Sequence, residues 1–360
     1  MGNKGKNKIG RAASGPQENK KRTRGFYALL VTFCLCAAMP LGAAALSGCG
    51  GLKEFVFLAP DGGTLLPAAK LFCDAPEIPG YRVKGEAVSG TAVEARLLAG
   101  TCDAAIAPIN LCARAYNTGG NYALAGVAAW GNNYIVAIGE GASGGEQAPE
   151  LGDLYGEVLY AFGAAAVPGV TLKAVLEKKG VAYEAVTSPE GAKPDRLNVL
   201  FLPAAADIIL QINRPDSPVR YAYLPEPNVT ALTAGGANGI IFDIQELWEE
   251  ETGQRYPQAG LVIKKSLLES APGAVTAFLT KMEESAAFCL ANPAESARLA
   301  KESLQSAALP SLALTQKYIE GNGRQIMAYG SVNDAEVRAS VAAYLAVIMG
   351  DNAPDEGFYF

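Results

Sequence analysis

From residue 53 onward, apolar residues come in short runs punctuated by Gly, Pro and small polar residues. KEFVFLA, residues 53–59, predicts a strand covered on both faces. Pro60-Asp61-Gly62-Gly63-Thr64 reads as a turn, and Pro67 suits the first turn of a following helix. Strand, glycine-rich turn and helix open an α/β unit. Residues 81–88 predict a second strand. Thr91 and Glu94 have the spacing of a capping box, opening a helix that Gly100 ends. Asp103–Pro108 is the next strand, and Asn110 is placed to cap a helix through Tyr116. Residues 122–139 hold two strands around Trp130-Gly131.

The pattern changes at GEGASGGEQAP, residues 140–150, where Gly, Ser and Pro predict a crossing between lobes. A second α/β series follows. Val158–Phe162 is a strand, Gly163–Val167 a loop of small residues, and Pro168 begins a helix that stops before Gly180. Residues 197–202 form a strand, 203–212 a helix, and 219–224 a strand ending in Pro225-Glu226-Pro227. In each series a helix, a turn and a strand deliver a loop with Pro and Asn: Pro108 and Asn110 in one, Pro227 and Asn228 in the other. The reading is two similar α/β lobes. Residues 240–350 are mostly helical, at 243–252, 265–291, 293–307, 311–320 and 333–349, with a short strand at 260–264. These helices are expected to pack on the first lobe's sheet. Open α/β sheets bind ligands beyond the carboxyl ends of their strands, so both Pro-and-Asn loops are expected to line one cleft.

Upstream the chain has another character. Its first 24 residues carry eight Lys and Arg against Glu18 alone, and residues 25–47 are uncharged. A basic segment, an apolar segment and small residues make the layout of a secretory signal. Leu46-Ser47-Gly48-Cys49 resembles the bacterial lipobox, which implies cleavage before Cys49 and lipid on its thiol. The other reading is an uncleaved apolar anchor, since about 20 apolar residues span a bilayer. Either way the body lies outside the cytoplasm, tethered to a membrane.

Without residues 1–48 the chain keeps 312 residues, 22 of them Lys or Arg and 35 Asp or Glu, a formal charge of −13. Nucleic acid demands basic surfaces, so it is excluded as a partner. A body of this length exceeds what one core supports, in keeping with two lobes. The chain has no histidine. That removes Ser-His-Asp and Cys-His catalysis and His-containing zinc sites. Cys73, Cys102, Cys112 and Cys289 form no C-x-x-C pair. They allow three disulfide pairings or four buried thiols, and the sequence leaves this open. No cofactor or metal is indicated. Asn228-Val229-Thr230 matches a glycosylation sequon, accidental behind a bacterial lipobox.

Four segments carry a likeness: LLAGTCDAAIAPINLCARAY, GVAAWGNNYIVAI, RYAYLPEPNVTAL, and the stretch from ELWEEETGQRYPQAG to CLANPAES. Together they resemble the substrate-binding lipoproteins of ABC importers, nearest to the nitrate/sulfonate/taurine and thiamine-precursor type. The likeness covers most of residues 53–310. It implies a type II periplasmic-binding fold, with a signal peptide over 1–48, lobe I over 49–139 plus 229–360, and lobe II over 140–228. It also implies a monomeric, non-enzymatic binder that closes on a small organic or anionic ligand and passes it to a permease and its ATPase. The departure is YAFGAAAVPGV, whose loop is almost bare of polar side chains. Two other readings stand beside this one. One is a ligand-sensing or scaffold lipoprotein without transport. The other is a thiamine-pyrimidine enzyme on the same fold, whose chemistry relies on histidine and iron.

The candidate ligand residues follow from position. Asp61, Gly62, Gly63 and Thr64 precede a helix N-terminus, where free amides suit an anion or carboxylate; an ordinary turn explains them equally. Ser89, Gly90 and Thr91 open the second helix. Pro108 and Asn110 end a strand on the cleft side. Gly163, Ala164 and Ala165 are small enough to approach a ligand with backbone amides. Glu226 is placed to pair a cationic group of the ligand or an arginine across the hinge, or to sit exposed at the hinge surface. Trp130 and Tyr134 are aromatic enough to stack on a flat ligand, but sheet core is the favoured reading.

Overall fold

The apolar runs become strands because both of their faces are covered. A computed structural model describes residues 51–139 and 149–360. The expected leader, the lipobox with Cys49, and residues 140–148 lie outside the described residues. Among those described are thirteen strands: β1 (Lys53–Pro60), β2 (Glu77–Ile78), β3 (Tyr81–Val88), β4 (Ala104–Pro108), β5 (Tyr122–Trp130), β6 (Asn133–Ala137), β7 (Val158–Phe162), β8 (Tyr183–Val186), β9 (Leu197–Leu202), β10 (Tyr221–Pro225), β11 (Gly239–Asp243), β12 (Pro257–Lys264) and β13 (Gly330–Ser331).

They form two sheets, ordered β13-β5-β12-β4-β1-β3-β2 and β11-β6-β10-β7-β9-β8. Each repeats one plan. In the first, β1 lies parallel between β3 and β4, and β12 then joins β4 antiparallel. In the second, β7 lies parallel between β9 and β10, and β6 joins β10 antiparallel. The antiparallel strands β12 and β6 begin just after the chain has passed from one sheet to the other.

β1 shows why its sequence reads as one apolar run. Phe55 and Phe57 point to one face and meet Phe278, with ring centroids 4.6 and 5.0 Å apart. Leu58 points to the other face, into a different core. Each fully buried side chain of this size contributes about 1.5–3 kcal/mol. The Phe278 face is built from the helices Pro272–Ala291 and Leu312–Glu320, as expected of the C-terminal region. The helix Ile244–Thr252 departs from that expectation by packing on β6 and β11 of the second sheet, and so does the helix Ala335–Met349. The latter packs where the two sheets meet, with Tyr344 stacked on Tyr256 at 5.4 Å and edge-on to Trp248 at 5.2 Å.

The sheets correct the expected boundaries between lobes. β6 lies before residue 140 and β11 after residue 228, yet both belong to the second sheet. The chain therefore crosses at Gly131–Asn132 and again over residues 253–256. β6 and β7, which precede and follow the Gly- and Ser-rich stretch near 140 in sequence, both belong to the second sheet. Composition marked a loop there, but sheet membership depends on pairing between distant strands. β8, β11 and the helix Asn228–Thr233 are further elements without a counterpart in the sequence reading.

Candidate functional site

The carboxyl ends of the parallel strands carry the expected loops. After β1, the Asp61 carboxylate is fully engaged by the chain itself. It accepts a hydrogen bond from the Ser306 hydroxyl, and from the Ala307 and Ala308 amides at 3.0 and 3.1 Å. Asp61 thus anchors the 306–308 loop instead of turning toward a ligand. Gly62 has φ of 128°, a backbone region closed to side chains, and starts the 3-10 turn Gly63–Ala68. The Thr64 hydroxyl donates to the Pro60 carbonyl at 3.3 Å.

After β3, the cap of the helix Gly90–Leu98 is Ser89, whose hydroxyl accepts from the Ala92 amide at 3.2 Å and lies 3.0 Å from the Thr91 hydroxyl. This corrects the expected Thr91/Glu94 box. Thr91 is already within the helix, and Glu94 pairs with Arg114. Asn110 is corrected in the same way. Pro108 occupies the cap position of the helix Ile109–Gly119, which leaves the Asn110 side chain to face the cleft.

After β7, Gly163 has φ of 63° and its carbonyl accepts from the Ala166 amide at 2.8 Å. Among the described residues the helix Val167–Lys178 has no side-chain cap, so the Val167 and Gly169 amides are not closed off by a side chain, while Pro168 has no N–H. Lys173 ties the turn down, donating to the Ala164 carbonyl at 2.9 Å while lying 5.0 Å from the centre of the Phe201 ring.

The segments that follow β4 and β7 border a pocket of about 210 Å³. Pro108, Asn110 and the Glu94–Arg114 pair come from the first lobe, Ala165–Pro168 from the second, and Gln258 from the crossing strand β12. Its lining charges are the mutually paired Glu94 and Arg114. Of the expected residues, the pocket gathers Pro108, Asn110 and Ala165. Asp61, Gly62, Gly63, Thr64, Ser89, Gly90, Thr91, Gly163, Ala164 and Glu226 are not among its walls.

A second contact between the lobes forms around Glu226. Its side chain is buried and, among the described residues, meets no cation. The carboxylate accepts from the Thr230 amide and hydroxyl, each at 3.0 Å, and from the Asn322 side-chain amide at 2.7 Å. Burial pushes its pKa up, against the pull of these hydrogen bonds. Gly63 stands opposite. A Cβ there would lie 3.7 Å from the Glu226 carbonyl oxygen and 3.6 Å from the Tyr318 hydroxyl. The expected pairing of Glu226 with an arginine or a ligand cation is replaced by two neutral partners.

The crossings hold a buried polar cluster that no local sequence signal marked. Asn133 is fully buried, and its amide nitrogen lies 3.4 Å from both the Tyr256 hydroxyl and the Gln258 carbonyl oxygen. Gln245 accepts from the Gly131 amide at 3.0 Å. The buried oxygens of Asn132, Asn133 and Gln254 and the nitrogen of Gln245 have no protein partner among the described residues. Burial raises the Asp243 carboxyl to about 6. Trp130 and Tyr134 are core, as expected; the Trp130 indole donates to the Ala328 carbonyl at 2.8 Å. The four described cysteines are free thiols, and burial lifts Cys112 and Cys289 to about 12.

The architecture can be set against solved structures. An ABC transporter protein from Parabacteroides distasonis aligns with a TM-score of 0.66 at 21% identity, over 86% of this chain and 98% of that one. The periplasmic aliphatic sulphonate binding protein SsuA of Escherichia coli aligns at 0.60 and 15% identity, over 81% and 85%. The alkanesulfonate-binding protein SsuA of Xanthomonas axonopodis pv. citri, bound to MOPS, aligns at 0.56 and 13% identity, over 84% and 95%. This chain, with its two α/β lobes, shares the fold of these structures. No protein-family description matches it, and no curated protein does. At these identities the likeness extends to the fold and not to the ligand.

Proposed function

We propose that this protein is the extracytoplasmic, lipid-anchored solute-binding component of an ABC importer. It captures a small organic or anionic molecule between its lobes and delivers it to a membrane permease. The observation that carries this reading is the pocket between the lobes. There Asn110, just beyond β4, faces Ala165–Pro168, just beyond β7, across about 210 Å³. Both walls lie at strand carboxyl ends, where open α/β sheets hold their ligands. Asn110 and Gln258 offer amide donors and acceptors, and the uncapped start of Val167–Lys178 offers backbone amides to an oxyanion or a carbonyl.

The mechanism is closure about the two crossings. Each lobe supplies only part of the pocket, so a ligand contacts both halves only when they meet. That difference in contacts is what shifts the open and closed populations. The lipid on Cys49 keeps the loaded protein at the membrane, beside its permease. Binding uses hydrogen bonds and shape and calls for no catalytic base, in a chain that has no histidine.

Native mass spectrometry of the full chain in mild detergent tests both parts. The reading predicts a lipid mass on Cys49 that Cys49→Ala removes. It also predicts a small-molecule adduct that is released on unfolding and absent from Ala165→Trp, whose indole fills the pocket. An adduct retained by Ala165→Trp contradicts the placement of the ligand.

A further inference from the structure

We propose that Asn322 and Glu226 form a clasp between the lobes, which biases the binding cleft toward its closed form independently of ligand. It rests on the reading that the lobes move apart to admit ligand. Glu226 belongs to the second lobe, one residue beyond β10, and Thr230 moves with it on the next helix. Asn322 belongs to the first. It sits between the helices Leu312–Glu320 and Gly323–Ile326, which are pinned into the first sheet's core by the buried Tyr318, Ile319 and Ile326. The turn that presents Asn322 is tightly set, since a Cβ on Gly323 would lie 2.7 Å from the Tyr318 carbonyl oxygen.

The three donors to Glu226 are therefore of two kinds. The amide and hydroxyl of Thr230 stay with the carboxylate whatever the lobes do. The Asn322 amide, at 2.7 Å, is lost when the lobes part. Gly63 lies against the same junction, where a Cβ would make only ordinary contact with the Glu226 carbonyl oxygen and Pro227, each at 3.7 Å. Asn322 is a positioning residue. Neither it nor Glu226 lines the pocket, and both act by holding its two walls together. One hydrogen bond to a buried carboxylate sets a bias of roughly tenfold, strong enough to matter and weak enough to open.

The test needs no ligand. Spin labels are placed on p-acetylphenylalanine at Ala95 and Ala206, exposed positions on helices of opposite lobes, in the full chain in detergent. Pulsed dipolar spectroscopy then gives the distance distribution. Asn322→Ala is expected to move the ratio of two populations by roughly tenfold away from the distance that dominates the parent. The exchanged pair Glu226→Gln with Asn322→Asp, which swaps the side-chain amide and the carboxylate between the two positions, is expected to restore it. Two populations that Asn322→Ala leaves unchanged, or changes without recovery in the exchanged pair, overturn the clasp while lobe motion stands. A single invariant distance in every variant overturns the clasp and the closure reading together.

Discussion

Gly169 stands against the carbonyl of Gly163. A Cβ on Gly169 would lie 2.3 Å from that oxygen and 2.7 Å from the Ala164 Cα. Backbone cannot yield there as a flexible side chain could, so the glycine is what lets the 163–165 turn fold back onto its helix. Gly169→Ala is expected to destabilise the chain by about 1–3 kcal/mol, the range for overpacking a tight contact. It should also displace the Ala165 wall of the pocket. Urea unfolding measures the first effect. A midpoint equal to the parent's would show that the turn has room to move.

Asp61 was expected near a ligand and instead holds the 306–308 loop through three donors. Asp61→Ala is expected to cost about 2–4 kcal/mol, since hydrogen bonds to charged groups contribute about 1.5–3 kcal/mol each and their losses overlap. Asp61→Asn should fall between the two, because it keeps one acceptor oxygen. Chemical denaturation decides this. Unchanged stability in Asp61→Ala would return the residue to the ligand.

Stability should depend on pH through Asp243. Burial raises its carboxyl to about 6, against about 3.9 in an unfolded chain. The folded state therefore holds this proton more tightly than the unfolded state does. Its contribution is greatest below about pH 4, declines as pH rises toward about 6 and is constant above. The full span is about 3 kcal/mol at most. Asp243→Asn keeps an acceptor for the Gln245 amide while removing the charge. The variant should gain on the parent between pH 4 and 6, and unfolding midpoints across that range measure the difference. A difference that does not vary with pH would rule out this role for Asp243.

The four described cysteines should behave as thiols. With Cys34, Cys36 and Cys49 changed to Ser, a thiol reagent is expected to label Cys73 in the native protein and to reach Cys102, Cys112 and Cys289 only after denaturation. Cys73 is half-buried and the other three are buried. Reductant should leave the melting temperature unchanged. A drop in melting temperature with reductant would mean that a disulfide forms.

Much of the fold could be read from the chain because its strands are apolar runs between clear breakers. Residues 81–88, 158–162 and 197–202 read as strands in sequence and are strands in the structure. β8 and β11 escaped notice: YEAV is short and mostly half-exposed, and GIIFD follows a glycine-rich stretch that looks like loop. The crossing at Gly131 could not be seen, because nothing in GNNYIVA says which sheet its strand will join. The same limit hid Asn133, Gln258 and Asn322. Their importance comes from partners more than 90 residues away, which leave no local pattern. Glu226 could be singled out but not assigned, since its partners Thr230 and Asn322 arrive from different parts of the fold.

Whether a solute site lies between the lobes is decided by ligand-dependent thermal unfolding of the full chain in detergent. The panel is sulfonates, nitrate, bicarbonate, pyrimidines, amines and amino acids. One chemical class is expected to stabilise the protein, by about 2.7 kcal/mol at a hundred times its dissociation constant. Asn110→Ala should abolish that stabilisation without changing the melting temperature of the unliganded chain by more than a degree or two. Stabilisation that survives Asn110→Ala, or none from any class, would contradict a solute site between the lobes.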